Sequence, residues 1–233
     1  MLSHRNRALT AIALGLALSA CATGDETATA EYGSSAEGMP ALIPVSHFFD
    51  NPEIAGAQIS PDGSWLAYLK AHEGVLNVFA RNLETDEEVQ LTADTERPVT
   101  GYFWSADASR VLYAQDRGGN ENFHVYSLPV DGTNLPEARN LTPYDGVRAG
   151  IFAVPEETPD RIFVGMNRRN PQLMDAYWLD IETGDLEMVA ENPGRHGGYM
   201  IDHEQRVRVA QGQNMSGGTD IFARDTEDAE WRL

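Results

Sequence analysis

The stretch Ile59-Ser60-Pro61-Asp62-Gly63-Ser64-Trp65-Leu66-Ala67-Tyr68-Leu69, followed by Asn77-Val78-Phe79-Ala80-Arg81-Asn82-Leu83-Glu84-Thr85, decides the fold. A polar turn leads into a short apolar burst, and a second burst follows and ends in another turn. Trp65 to Leu69 is apolar at successive positions, so both faces of that strand need covering. The pattern recurs. Trp104-Ser105-Ala106-Asp107-Ala108-Ser109 leads into Val111 to Ala114, and His124-Val125-Tyr126 follows. Glu157-Thr158-Pro159-Asp160 leads into Ile162 to Met166, with Ala176-Tyr177-Trp178-Leu179 after it. Asp202-His203-Glu204-Gln205 leads into Val207 to Gln211, then Asp220-Ile221-Phe222-Ala223. Matching Val78, Val125, Tyr177 and Ile221 gives intervals of 47, 52 and 44 residues. That is the length of a four-stranded propeller blade.

The expected fold is therefore all-β: a β-propeller with about four blades present and the last incomplete. Asp131-Gly132 and Thr183-Gly184-Asp185 supply further hairpin signals, and no stretch keeps a helical period. A β-sandwich also has many short strands, but a repeat of blade length disfavours it. The blades are expected at roughly 54–98, 99–147, 148–197 and 198–233. Glu230-Trp231-Arg232-Leu233 aligns with the start of the outer strand that begins Glu88-Val89-Gln90-Leu91. The fourth blade thus lacks most of its last strand, and the parent protein is expected to continue beyond Leu233. An open arc is expected to leave an apolar flank at each end.

The N-terminus reads differently. Arg5 and Arg7 precede an apolar run from Ala8 to Leu18, too short to span a bilayer comfortably. Leu18-Ser19-Ala20-Cys21 then resembles the lipobox of bacterial lipoproteins, which implies cleavage before Cys21 and a lipid on its thiol. Residues 1–20 are expected to be a signal peptide and 21–42 a flexible tether, with 43–233 the partial propeller. Cys21 is the sole cysteine, so no disulfide within the chain is possible. The expected location is the cell envelope, lipid-anchored at the outer membrane and facing the periplasm. With 17 basic against 36 acidic residues, the chain is a poor candidate for nucleic-acid binding.

The residues Ile43-Pro44-Val45-Ser46-His47-Phe48-Phe49, the Ser60-Pro61-Asp62-Gly63 turn and the loop Asp116-Arg117-Gly118-Gly119-Asn120-Glu121-Asn122-Phe123-His124-Val125-Tyr126 together resemble the prolyl oligopeptidase family. The likeness is to its dipeptidyl and acylaminoacyl peptidase branches and covers roughly residues 43 to 233. It implies an N-terminal propeller that caps a C-terminal α/β-hydrolase domain and restricts it to short peptides. That hydrolase domain is absent from this chain. The alternative is a stand-alone, membrane-anchored binding propeller, similar to that of the Tol system, acting through protein contacts.

No catalytic residue, metal site or cofactor is expected in this chain. No Gly-x-Ser-x-Gly nucleophile elbow occurs. Asn214-Met215-Ser216-Gly217-Gly218 comes nearest and reads as a hairpin loop. His196-Gly197-Gly198 reads as a connection between blades rather than an oxyanion hole. The histidines lack ligand spacing. The substrate-binding candidates are Glu121 and Arg117. The resemblance implies that a propeller carboxylate such as Glu121 binds a peptide's free ammonium group. The competing reading makes Glu121 a turn residue capping a strand. Arg117 would pair with Glu121 or meet a substrate carboxylate.

Overall fold

A computed structural model describes residues 42–233. The expected signal peptide, the Cys21 lipidation site and all of the tether but Leu42 lie outside the described residues. The Pro44 and Val45 carbonyls accept the His47 and Phe48 amides, opening one helical turn, α1, over Ser46–Phe49.

From Ala55 onward the described chain is all strand and turn. The first sheet contains β1 (Ala55–Ile59), β2 (Trp65–His72), β3 (Val75–Asn82) and β4 (Glu88–Gln90). The second contains β5 (Tyr102–Trp104), β6 (Arg110–Gln115), β7 (His124–Pro129) and β8 (Arg139–Asn140). The third contains β9 (Ala149–Ala153), β10 (Arg161–Asn170), β11 (Leu173–Asp180) and β12 (Leu186–Ala190). The fourth contains β13 (Gly198–Ile201), β14 (Val207–Gln213) and β15 (Thr219–Ala223). Each is an antiparallel meander in chain order. A single bridge from Ala223 to Arg232 starts a fourth strand on the last sheet. These are the blades of a propeller arc, as the repeat predicts.

The doubly apolar strands are explained by blade stacking. In β6, Val111 and Tyr113 face the first blade and pack with Ala67, Leu69, Val78 and Trp104. Leu112, between them, faces the third blade with Ile162, Val164 and Leu179. Phe163 alternates likewise in β10 and packs with Tyr199, Val207 and Phe222 of the fourth blade. Period-two alternation thus sends successive apolar side chains into successive interfaces.

The turns are built from side-chain caps. Asp62 accepts the Ser60 and Ser64 hydroxyls and the Ser64 amide, and Asp107 does the same with Ser105 and Ser109. Asn82 caps the Glu84 and Thr85 amides, as Asp180 caps those of Glu182 and Thr183. This last equivalence corrects the repeat alignment. With Asn82 matched to Asp180, the partner of Val78 in the third blade is Ala176, one residue before Tyr177. Several adjacent apolar residues in β11 hide that slip in the sequence, and the turn cap settles it.

The expected bare flanks differ from each other. On the first blade, Tyr68 and Phe79 stack with centroids 6.4 Å apart. Glu88 accepts the Tyr68 hydroxyl and pairs with Lys70 at 2.8 Å, while Lys70 lies 5.0 Å from the Phe79 ring centroid. Both rings are buried, whereas Ile59 of β1 is 62% exposed, so this flank is covered only in part. On the fourth blade Met200 and Ile221 are 45% and 51% exposed, as expected of an uncovered flank.

Candidate functional site

In a four-stranded meander, the loop between the second and third strands lies at the same end as the connection to the next blade. The other two hairpins lie at the opposite end. The loop Asp116–Phe123, joining β6 to β7, therefore shares one end of the arc with the inter-blade connections around Asp94–Arg97 and Tyr144–Arg148.

The loop is held by one buried carboxylate. Asp116 follows the last residue of β6 and is 3% exposed. Its Oδ2 accepts the Glu121 amide at 2.9 Å, closing the loop on itself. Its Oδ1 accepts from Arg97 Nε at 2.9 Å. The Glu121 amide first, and Arg97 after it, hold the Asp116 carboxyl below its ordinary value despite burial. Arg97 is itself fixed: Asp94 accepts its amide, and its carbonyl accepts from Gln115 Nε2. Gly118 and Gly119 have φ of 61° and 77°, which only glycine adopts freely. Glu121 has φ of 58°, a left-handed conformation uncommon for glutamate, and the Asp116 bond holds it there.

Glu121 is thus a turn residue as well as an exposed carboxylate. Its backbone is committed, and its side chain has no ion-pair partner within 4 Å among the described residues. The structure does not join Arg117 to it. Arg117 is exposed and borders two hollows instead. One, about 300 Å³, is shared with Asp94, Glu96 and Arg97, and the other, about 410 Å³, with Asn120, His124 and Asp145. His124 sits at the start of β7, with Nδ1 3.0 Å from the Asn140 amide nitrogen. That contact makes Nδ1 the acceptor and leaves the proton on Nε2.

A third hollow of about 470 Å³ lies between the second and third blades, lined by Phe123, Arg148, Gly150, Phe152 and Met174 among others. Phe123 ends the Asp116 loop, and its carbonyl accepts the Ala149 amide at 2.7 Å. The loop is therefore pinned to the first blade through Arg97 and to the third through Ala149.

The other motifs carry structure. The Gly197 amide donates to the Gln211 carbonyl and Gly198 begins β13, so neither turns toward an oxyanion. Asn214 caps the β14–β15 hairpin by accepting the Ser216 amide and hydroxyl and the Gly218 amide. Sequence reading quoted Asp116 and Phe123 but gave them no role, and it missed Arg97 and Arg148. An aspartate at a strand end just before Gly-Gly is a signal for a self-capping loop. The arginines sit in inter-blade connections that carry no motif.

Comparison with known proteins places these features. No family model matches the chain. It is 35% identical over 189 residues to dipeptidyl aminopeptidase BIII of Pseudoxanthomonas mexicana, covering 81% of this chain and 27% of that protein. It is 27% identical over 202 residues to dipeptidyl peptidase family member 6 of Caenorhabditis elegans, covering 82% and 27%. The chain thus spans about a quarter of the length of these curated relatives. Among solved structures, it resembles the β-propeller domain of the trilobed protease from Pyrococcus furiosus, with a TM-score of 0.51 and 16% identity, covering 77% of this chain and 57% of that one. It also resembles TolB from Acinetobacter baumannii, with a TM-score of 0.50 and 12% identity, covering 76% and 42%. These two likenesses establish the propeller fold.

Proposed function

From a chain that is a propeller-like domain related to the propeller domains of prolyl oligopeptidase-family peptidases, we propose that it gates and positions short peptides for an α/β-hydrolase domain of a serine exopeptidase. The observation that carries this reading is the likeness to a dipeptidyl aminopeptidase along most of the chain. The loop geometry supports it. Glu121 presents an unpaired carboxylate from a loop held at both ends, which suits capture of a peptide's ammonium group. The likeness to TolB is one of fold and favours no second reading.

We further propose export through residues 1–20 and lipid anchoring at Cys21. Cys21→Ser is expected to move the protein from the detergent to the aqueous phase or to block processing. Mass spectrometry showing an unmodified N-terminus at another residue overturns the anchor.

The gating reading is tested on the parent protein expressed whole. It is expected to release dipeptides from free-amine peptides and to be labelled by a fluorophosphonate. The 233-residue chain alone is expected to do neither, because its sequence has no Gly-x-Ser-x-Gly nucleophile elbow. Stoichiometric labelling of that chain overturns the reading, as does a parent lacking a Gly-x-Ser-x-Gly segment.

A further inference from the structure

We propose that the hollow bordered by Phe123 and Phe152 is a subsite for a peptide carboxylate adjoining an apolar side chain, with Arg148 as its counter-ion. The inference rests on the peptide-gating reading and names a substrate feature that this reading leaves open.

Three observations carry it. The first is the state of Arg148. Ion pairing is uneven among the arginines: seven of the fourteen described have a carboxylate within 4 Å. Arg148 is one of the seven that have none among the described residues. Its guanidinium lies 5.7 Å from the centroid of the Phe123 ring. That contact orients the group and leaves its donors free.

The second is the backbone beneath it. The Arg148 amide donates to Asn167 Oδ1 at 2.6 Å, and the Arg148 carbonyl accepts the Asn167 amide at 3.2 Å. Asn167 in turn donates to the Pro171 carbonyl at 3.0 Å. With Ala149 bonded to Phe123, the chain is fixed on both sides of an uncommitted side chain. A binding group on a fixed base loses little freedom when it meets its ligand.

The third is the hollow. Its volume of about 470 Å³ suits one or two residues of peptide, and Phe123, Phe152 and Met174 make its wall apolar. Gly150 and Gly197 add no side chain to its lining. An apolar wall beside an unpaired guanidinium matches a carboxylate next to an apolar side chain. Two sources present that chemistry: a peptide's C-terminus and an acidic side chain with an apolar neighbour.

Isothermal titration of the 233-residue chain at low salt distinguishes the outcomes. The probes are N-acetyl-Ala-Leu, its C-terminal amide, and N-acetyl-Leu-Glu-amide. The acetyl groups remove any contribution from ammonium binding at Glu121. N-acetyl-Ala-Leu is expected to bind about tenfold or more tightly than its amide. Arg148→Gln is expected to abolish the difference while leaving the amide's affinity unchanged, and Arg148→Lys to keep part of it. Arg148 is exposed, so neither variant endangers the fold. Binding of N-acetyl-Leu-Glu-amide as tight as that of the free acid supports the same counter-ion with a side-chain source. Equal affinity of acid and amide in the unmodified chain overturns the role of Arg148 and leaves the gating reading standing. Failure of all three peptides to bind overturns the subsite and leaves the gating reading to the test on the parent protein.

Discussion

The carboxylate of Asp116 accepts the backbone amide of Glu121 at 2.9 Å while its other oxygen takes Arg97 Nε at the same distance. One buried side chain therefore sets the shape of the candidate binding loop and ties it to the preceding blade. Asp116→Ala removes both bonds. The Glu121 amide is then expected to exchange its hydrogen about tenfold faster or more, with strand amides such as Val125 little changed. Unchanged exchange at Glu121 would show that the glycines hold the loop without the carboxylate.

Glu121 itself is tested in the parent enzyme. Glu121→Gln keeps the left-handed turn and removes the charge. Binding of free-amine peptides is expected to weaken about 10- to 100-fold, and that of N-blocked peptides far less. An equal effect on both classes returns Glu121 to a purely structural role.

His196 gives the fold a pH dependence. It is buried among Tyr199, Phe222 and Trp231, with ring centroids 4.8 to 5.4 Å away, and its Nε2 has no partner among the described residues. Burial, then the nearby Arg195 and Arg224, lowers its pKa from 6.5 to about 4. The folded state thus holds His196 neutral where the unfolded state already takes a proton. Its contribution to stability is present above about pH 6.5 and is lost as pH falls toward 4. About 1–2 kcal/mol is expected to disappear across that window. Thermal melts at pH 7, 5.5 and 4.5 read this directly, and His196→Phe should flatten the curve. An equal slope in the variant would assign the loss to other groups.

The β2–β3 turn contains Glu73 and Gly74, with φ of 50° and 81°. Two successive left-handed residues make a type I′ turn, for which Asn-Gly is the preferred pair. Glu73 is exposed, so its side chain packs against little. Glu73→Asn is expected to stabilise the domain by about 0.5–1 kcal/mol in denaturant unfolding. A destabilised variant would mean that the Glu73 side chain contributes where no contact is seen.

Met200 and Ile221 leave the fourth blade with an exposed apolar flank. The chain carries a net charge of −19, which opposes association at low ionic strength and is screened by salt. The 233-residue chain is therefore expected to bind a hydrophobic dye and to self-associate more at high salt. Ile221→Lys should reduce both, as read by dye fluorescence and light scattering. A monodisperse chain without dye binding would show that this flank is covered in solution.

The sequence by itself determined the blades, because everything that defines them is local. Hairpin turns are specified within a few residues: Ser60-Pro61-Asp62-Gly63 and Asp131-Gly132 mark strand ends wherever they sit. Strands apolar on both faces, such as Trp65–Leu69, require partners on both sides, and the blade-length repeat supplies those partners in chain order. Register to the single residue was less legible. Ala176 and Tyr177 both suit a buried strand, and only the capping bonds of Asp180 choose between them.

The site stood only half in view. Glu121 and Arg117 were visible because a glycine loop with charged residues stands out between two strands. Arg97 and Arg148 were not. Arg97 lies 19 residues from Asp116, and Arg148 lies beyond the next two strands. Their meeting with the loop exists only after whole sheets have stacked. Tertiary structure also decided which arginines are neutralised. Arg169 is paired with the fully buried Asp175, whereas Arg148 stands over an aromatic ring with no carboxylate within 4 Å among the described residues. A local pattern can specify a strand because backbone bonds and turn caps act within a few residues. A binding group's partners come from distant segments, and blade stacking brings them within the few ångströms over which a hydrogen bond or ion pair acts.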